Sequence, residues 1–139
     1  MLRWDEIKQL AADDLVTVGA HSVNHYDLSR LSEDQVLFEL NESRSSLEAC
    51  IGRKVEHFAY PFGGANSLGR REFNVAKSCG FKTAVTTRGA NLFSAHAAHF
   101  ECLPRIGLSG NYPPLRRFKL VHSGALAAFK HRFKRVVTD

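Results

Sequence analysis

Cysteine is scarce in this chain and has no pattern. Cys50, Cys79 and Cys102 are odd in number, far apart and without a CxxC pair. That argues against a disulfide framework or a zinc ribbon and for plain buried thiols. No apolar run approaches the ~20 residues that a bilayer-spanning helix needs. The opening Met1-Leu2-Arg3-Trp4-Asp5-Glu6 runs into a charged, helix-like segment and shows no signal-peptide core. Asp and Glu are missing between Arg116 and Arg135, a stretch rich in Lys and Arg. Most of the net charge of +5 is concentrated there, so overall basicity says little about the partners of the rest. Nucleic-acid binding has only this charge in its favour, because no recognition module accompanies it. There is also no internal repeat and no interdomain linker. The 139 residues, 44% hydrophobic and 24% charged, suffice for one ordinary core but are short for a complete α/β barrel.

What is present reads as alternating elements. Residues 3–12 place Ile7, Leu10 and Ala11 on one face of a short amphipathic helix. Leu15-Val16-Thr17-Val18 reads as a buried strand, extending to Ala20. Ser32 and Gln35 form a capping box for a helix carrying Val36, Leu40, Leu47 and Ile51, which Gly52 closes. Residues 55–60 form a strand stopped by Pro61. Ser67 caps a third helix, with Phe73 and Ala76, that ends at Gly80. Further strands are expected at 82–86 and 101–108, and a last helix between Leu115 and Val137. Such alternation predicts a parallel sheet or part of a barrel.

The chemistry centres on Gly19-Ala20-His21-Ser22-Val23-Asn24-His25. A strand that ends on one histidine, with a second four residues on, puts two imidazoles within reach of one metal ion if the segment turns tightly. The spacing alone is weak, but the strand end and the small residues before it raise its weight over ordinary core or surface histidines. A hydrolytic zinc ion usually takes three protein ligands. Asp27 is near but reads as a solvated turn residue. His57, His96, His99, His122 and His131 are not placed by spacing, His96 and His99 being the nearest reserves. The second stretch, Phe58-Ala59-Tyr60-Pro61-Phe62-Gly63-Gly64, ends another strand in a sharp loop whose backbone N–H groups can face a developing oxyanion. An aromatic-packed turn is the alternative.

Together these stretches resemble the NodB-homology polysaccharide deacetylases. His21-Ser22-Val23-Asn24-His25 matches that family's His-Ser/Thr-x-x-His metal motif, and Tyr60-Pro61-Phe62-Gly63 resembles its Pro-Tyr/Phe-Gly loop. The likeness spans residues 2–108, including the helix closed by Gly52 and the strand after Gly80. It implies a distorted (β/α) barrel, here partial and lacking its first strands, over residues 1–110, followed by a basic amphipathic tail, 111–139. It also implies a divalent metal, zinc foremost, and removal of N- or O-acetyl groups from a surface polysaccharide at the cell envelope. His21 and His25 would be the metal ligands. The Phe62 N–H would hold the oxyanion, and Tyr60, Pro61 and Phe62 would shape the sugar groove.

The departures from the family pattern matter equally. Its early Asp-Asp motif, which supplies the base and third ligand, has no counterpart. Asp13-Asp14 precedes the histidine strand and reads as a solvated helix-end pair. Ala59 stands where an arginine often precedes the loop. Leu103-Pro104-Arg105 occupies the place of the late Leu-x-His motif, so Arg105 could stabilise charge but not donate a proton. Leu120-Val121-His122 fits that pattern only as letters. The tail interleaves Phe118, Leu120, Leu126, Phe129 and Phe133 with basic residues. Packing of that apolar side on the barrel is the expected arrangement, with contact to anionic lipid or acidic glycan the sharper reading. Three functions stay open: a metal hydrolase, a non-catalytic metal- or glycan-binding remnant, and a split piece completed by another polypeptide. The isolated chain is expected to be inactive or impaired.

Overall fold

The computed structural model describes residues 2–107 and 114–135. Its sheet is made of short parallel pieces. Strand β1, His57–Ala59, pairs in parallel with β2, Thr83–Val85, aligning His57 with Thr83, Phe58 with Ala84 and Ala59 with Val85. Single parallel bridges continue the ladder on either side, Ala20 against Phe58 and Val85 against Leu103. Four segments therefore lie side by side in chain order. Parallel neighbours require crossover connections, and helices supply two of them.

The first crossover is α2, Glu33–Ile51, which follows a shorter α1, Trp4–Ala11. Gln35 donates its N–H to the Ser32 hydroxyl and returns its side-chain oxygen to the Ser32 N–H, the expected capping box. Gly52 closes α2 at φ 68°, a left-handed conformation that favours glycine. The second crossover is α3, Arg70–Ser78. It starts at Gly69, whose N–H donates to the Glu72 carboxylate, two residues later than the expected Ser67 cap. The Ser67 hydroxyl instead donates to Asp27. Val36 and Leu40 of α2, Phe73 and Ala76 of α3 and Phe58 and Ala84 of the strands form one buried cluster with Tyr60, Phe81 and Cys102. Each large apolar side chain so buried contributes ~1.5–3 kcal/mol relative to exposure. Within it, Phe58 meets Tyr60 edge-on at 5.1 Å between ring centroids, and Tyr60 meets Phe73 at 5.7 Å.

Four expectations change. Residues 15–20 are not a buried strand: Leu15 is 94% exposed in a turn, and Ala20 alone makes the ladder contact. The apolar letters there have no second layer to face, so composition misled. The expected strand at 101–108 is a 3-10 turn, Phe100–Cys102, followed by a single bridge at Leu103, with Leu108 outside the described residues. The last helix is broken into α4, Pro114–His122, and α5, Ala125–Lys130, by Gly124 at φ 71°. Val137 lies outside the described residues. The tail's apolar side chains are not packed on the body as expected: Phe129 and Phe133 are 78% and 77% exposed. Among the described residues Ala127 alone is buried there, while Asn91 donates to Gly124 O and His131 bonds Gly89 O. All three cysteines are reduced, and only Cys102 is fully buried. Among the described residues no helix is long and apolar enough to cross a membrane.

Candidate active site

The chain leaves the ladder at Ala20 and turns at once. Ser22 and His25 both take positive φ, 63° and 55°, conformations uncommon for residues with a Cβ. Two anchors hold this bend. The His25 N–H donates to the Ser22 hydroxyl. The larger anchor is Glu39, on the inner face of α2 and 3% exposed. Its Oε2 accepts the N–H groups of Val23 and Asn24, each at 2.9 Å, and its Oε1 accepts the Asn24 side-chain amide at 2.6 Å. Burial pushes the Glu39 carboxyl up, but these hydrogen bonds outweigh it and hold it below the usual carboxylate range. The chain thus spends a buried carboxylate on fixing the loop between its two histidines. Sequence reasoning missed Glu39, although it falls between the apolar Val36 and Leu40, on the helix face that turns inward.

The bend brings His21 and His25 together with ring centroids 5.0 Å apart, edge to face. His21 Nδ1 lies 2.6 Å from Ala59 O at the end of β1. A carbonyl only accepts, so Nδ1 carries the proton and Nε2 keeps its lone pair. Such orientation of a ligand imidazole by a backbone carbonyl is what metal-binding histidines usually have. The donor set therefore suits a divalent ion as far as it goes. Among the described residues, no carboxylate, thiol or further imidazole joins the pair as a compact third ligand. Asp27 points elsewhere, as expected: it accepts the Ser29 hydroxyl at 2.7 Å and the Ser29 N–H at 3.2 Å, which lower its pKa. Asp13 caps a turn at Leu15 N–H, and both it and Asp14 are exposed.

The second loop stands beside the first. The Phe62 ring lies 5.1 Å from His25 and is 54% exposed. Its φ of 49° belongs to a turn that the close packing of Gly63 holds in place. A Cβ on Gly63 would sit 2.5 Å from Thr87 N, so only glycine lets the loop press against the chain after β2, where Thr87 donates to Gly63 O. Tyr60 and Pro61 do not line a groove, contrary to expectation. Both are fully buried, and the Tyr60 hydroxyl donates to Glu101 O at 2.7 Å. Burial pushes its phenol pKa up. The strand period explains this, because Phe58 and Tyr60 share the inward face. Arg105 is not with the histidines in any contact described. It is exposed and lines a groove with Thr87, Gly89, Leu126 and Lys130 that none of His21, His25 and Phe62 enters. His122 stacks on Phe118 at 5.5 Å, within α4. His96 is buried, its Nδ1 accepting the Phe93 N–H.

The sequence profile of the polysaccharide deacetylases matches residues 2–84. No curated protein sequence matches significantly. Among solved structures, the chain is similar to a Streptococcus pyogenes deacetylase, PplD, in complex with acetate: TM-score 0.74, 24% identity, 85% of this chain and 50% of that one. A Bacillus cereus polysaccharide deacetylase gives TM-score 0.74 and 21% identity over 85% of this chain and 36% of that one. A Bacillus anthracis CE4 family pseudoenzyme gives TM-score 0.50 and 26% identity over 58% of this chain and 27% of that one. The chain spans no more than half the length of each of these proteins. With the profile covering most of the chain and the fold agreeing, the chain belongs to the polysaccharide deacetylase family.

Proposed function

We propose that this chain carries the metal-binding and oxyanion-holding part of a carbohydrate deacetylase that removes N- or O-acetyl groups from a cell-surface polysaccharide. One observation carries the reading. Two imidazoles stand 5.0 Å apart, and the first has its Nδ1–H fixed by Ala59 O. His21 and His25 hold a divalent ion, zinc foremost. When bound, such an ion supplies Lewis-acid polarisation of a carbonyl and lowers the pKa of a bound water. The chain's own contribution is placement. Glu39 and Ala59 O set the imidazoles, Gly63 presses the loop down, and the Phe62 N–H offers a donor where negative charge develops. The exposed Phe62 ring gives an apolar surface for a sugar face, while Tyr60 and Pro61 support the loop from beneath.

The four parallel segments are read as an arc of a distorted (β/α) barrel over residues 1–110, with 111–139 as a basic tail. Activity of the chain alone is another matter, because among the described residues no carboxylate base stands with the pair. A CE4 pseudoenzyme among the similar structures keeps a non-catalytic reading open, as does completion by another polypeptide. The tail's exposed Phe129 and Phe133, among Lys and Arg, favour contact with an anionic surface. The test is metal content, together with deacetylation of an acetylated chitooligosaccharide, for chain purified without chelators. Zinc uptake that falls by one equivalent in His21→Ala/His25→Ala, with little or no activity in the native chain, is expected. Robust metal-dependent turnover by this chain alone would refute the expected inactivity. A chain that takes up no metal would refute the assignment of the site.

A further inference from the structure

Away from the histidine pair lies a cavity of about 640 Å³ between α3 and the turn after β2. Neither His21, His25 nor Phe62 lines it, but His99, Glu101 and Cys102 all do. These three residues each offer one ligand atom, and the three atoms lie within 4.8 Å of one another. His99 Nδ1 and Glu101 Oε1 are 3.4 Å apart. Tetrahedral zinc, with bonds of 2.0–2.3 Å, separates its ligand atoms by about 3.3–3.7 Å. The imidazole and carboxylate are already at that spacing, and the thiol needs a movement of roughly 1 Å.

We propose that His99, Glu101 and Cys102 form a second metal site, selective for zinc-like ions and independent of the histidine pair. Three features beyond proximity support it. First, the donors come from one 3-10 turn, Phe100–Cys102, and its cap residue. The turn is pinned by the Tyr60 hydroxyl on Glu101 O, so the imidazole and carboxylate are held close and only the thiol, which donates to His99 O, has to turn. Second, the charge balances. A neutral imidazole, a carboxylate and a thiolate together cancel a divalent cation. The balance matters in a cavity also lined by Arg70, Lys77 and Arg88, whose positive charges would oppose a weakly ligated ion. Third, exposure is graded. His99 is exposed, Glu101 half-buried and Cys102 2% exposed, so the cluster is reached from solvent on the His99 side. A thiolate donor favours zinc and cobalt over magnesium and calcium.

The experiment uses the full chain, stripped with chelator and titrated with Co²⁺. The expected result is a near-ultraviolet thiolate-to-cobalt charge-transfer band that Zn²⁺ abolishes and Mg²⁺ does not. The pair at His21 and His25 has no thiol and cannot give this band, so the His21→Ala/His25→Ala variant keeps it. Cys102→Ser loses it. Because Cys102 is buried, His99→Ala, altered at an exposed side chain, provides a second reading: Co²⁺ affinity measured on the band falls at least tenfold. No band in the native chain would overturn the proposal. So would a band that survives Cys102→Ser, which would assign it to Cys50 or Cys79, or an unchanged affinity in His99→Ala.

Discussion

Replacing Glu39 tests how the histidine pair is built. Its carboxylate is buried and meets three donors: the N–H groups of Val23 and Asn24 and the Asn24 side-chain amide. Glu39→Gln keeps the shape. Its one oxygen can still serve the two backbone groups, and Asn24 can turn its amide to meet the new NH₂. What is lost is the charge assistance, so the expected cost is about 1.5–3 kcal/mol. Glu39→Ala leaves all three donors without the carboxylate and opens a hole in the inner face of α2, and is expected to cost about 2–4 kcal/mol. Because the ordered loop carries both imidazoles, zinc affinity should fall by roughly 10–100-fold in Glu39→Gln. The pH dependence has a definite sign. The folded carboxyl titrates below its unfolded value of 4.5, so its stabilisation is complete above that pH and is lost as pH falls through the folded value. Urea unfolding of native and Glu39→Gln chains across pH 3–7 should therefore show the difference shrinking toward acid. A Glu39→Gln chain within ~0.5 kcal/mol of native at pH 7, with unchanged zinc binding, would refute the reasoning.

His21→Ala and His25→Ala should each abolish stoichiometric zinc at the pair, read by calorimetry in the Cys102→Ser background. Unfolding should move by less than about 1 kcal/mol, because both side chains are exposed. Gly63→Ala should destabilise by about 2–4 kcal/mol, since its Cβ would meet backbone at 2.5 Å; thermal unfolding checks this. Tyr60→Phe removes a buried hydroxyl from Glu101 O and should cost about 1–2 kcal/mol without altering glycan binding, whereas Phe62→Ala should do the reverse. Vesicles of mixed neutral and anionic lipid should pull down the native chain but not Phe129→Ser/Phe133→Ser, and salt should weaken the contact.

The parts legible in the sequence were those that local chemistry determines. Ser32 and Gln35 cap α2, Gly52 ends it, and Pro61 follows the end of β1, each through neighbours within a few residues. The histidine spacing was legible for the same reason. What failed depended on the far side of the molecule. Leu15 reads as core, yet nothing is layered over it. The tail's phenylalanines read as a packed face, yet among the described residues only Ala127 is buried there. Tyr60 reads as an aromatic at a loop and so as a sugar contact, until the ladder register turns it inward beside Phe58. Glu39 was the reverse case: a charge on an apolar face, whose partners 15 and 16 residues upstream emerge only once α2 lies under the loop.

These dependencies separate two functions that the family usually combines. The imidazoles are held by Glu39 and by Ala59 O, both supplied by this chain. On the proposed reading, ion binding at the pair would rest on α2 and β1. Hydrolysis asks for more, because a proton must leave the attacking water, and the nearby candidates are committed elsewhere. Asp27 is engaged by Ser29 and Ser67, and Glu39 by Val23 and Asn24. On the proposed reading, a base would come from a group outside these contacts. If metal binding persists in the chain while turnover requires an added polypeptide or exogenous carboxylate, the missing element is the base alone. If both are lost together, the pair itself depends on strands that this chain does not contribute.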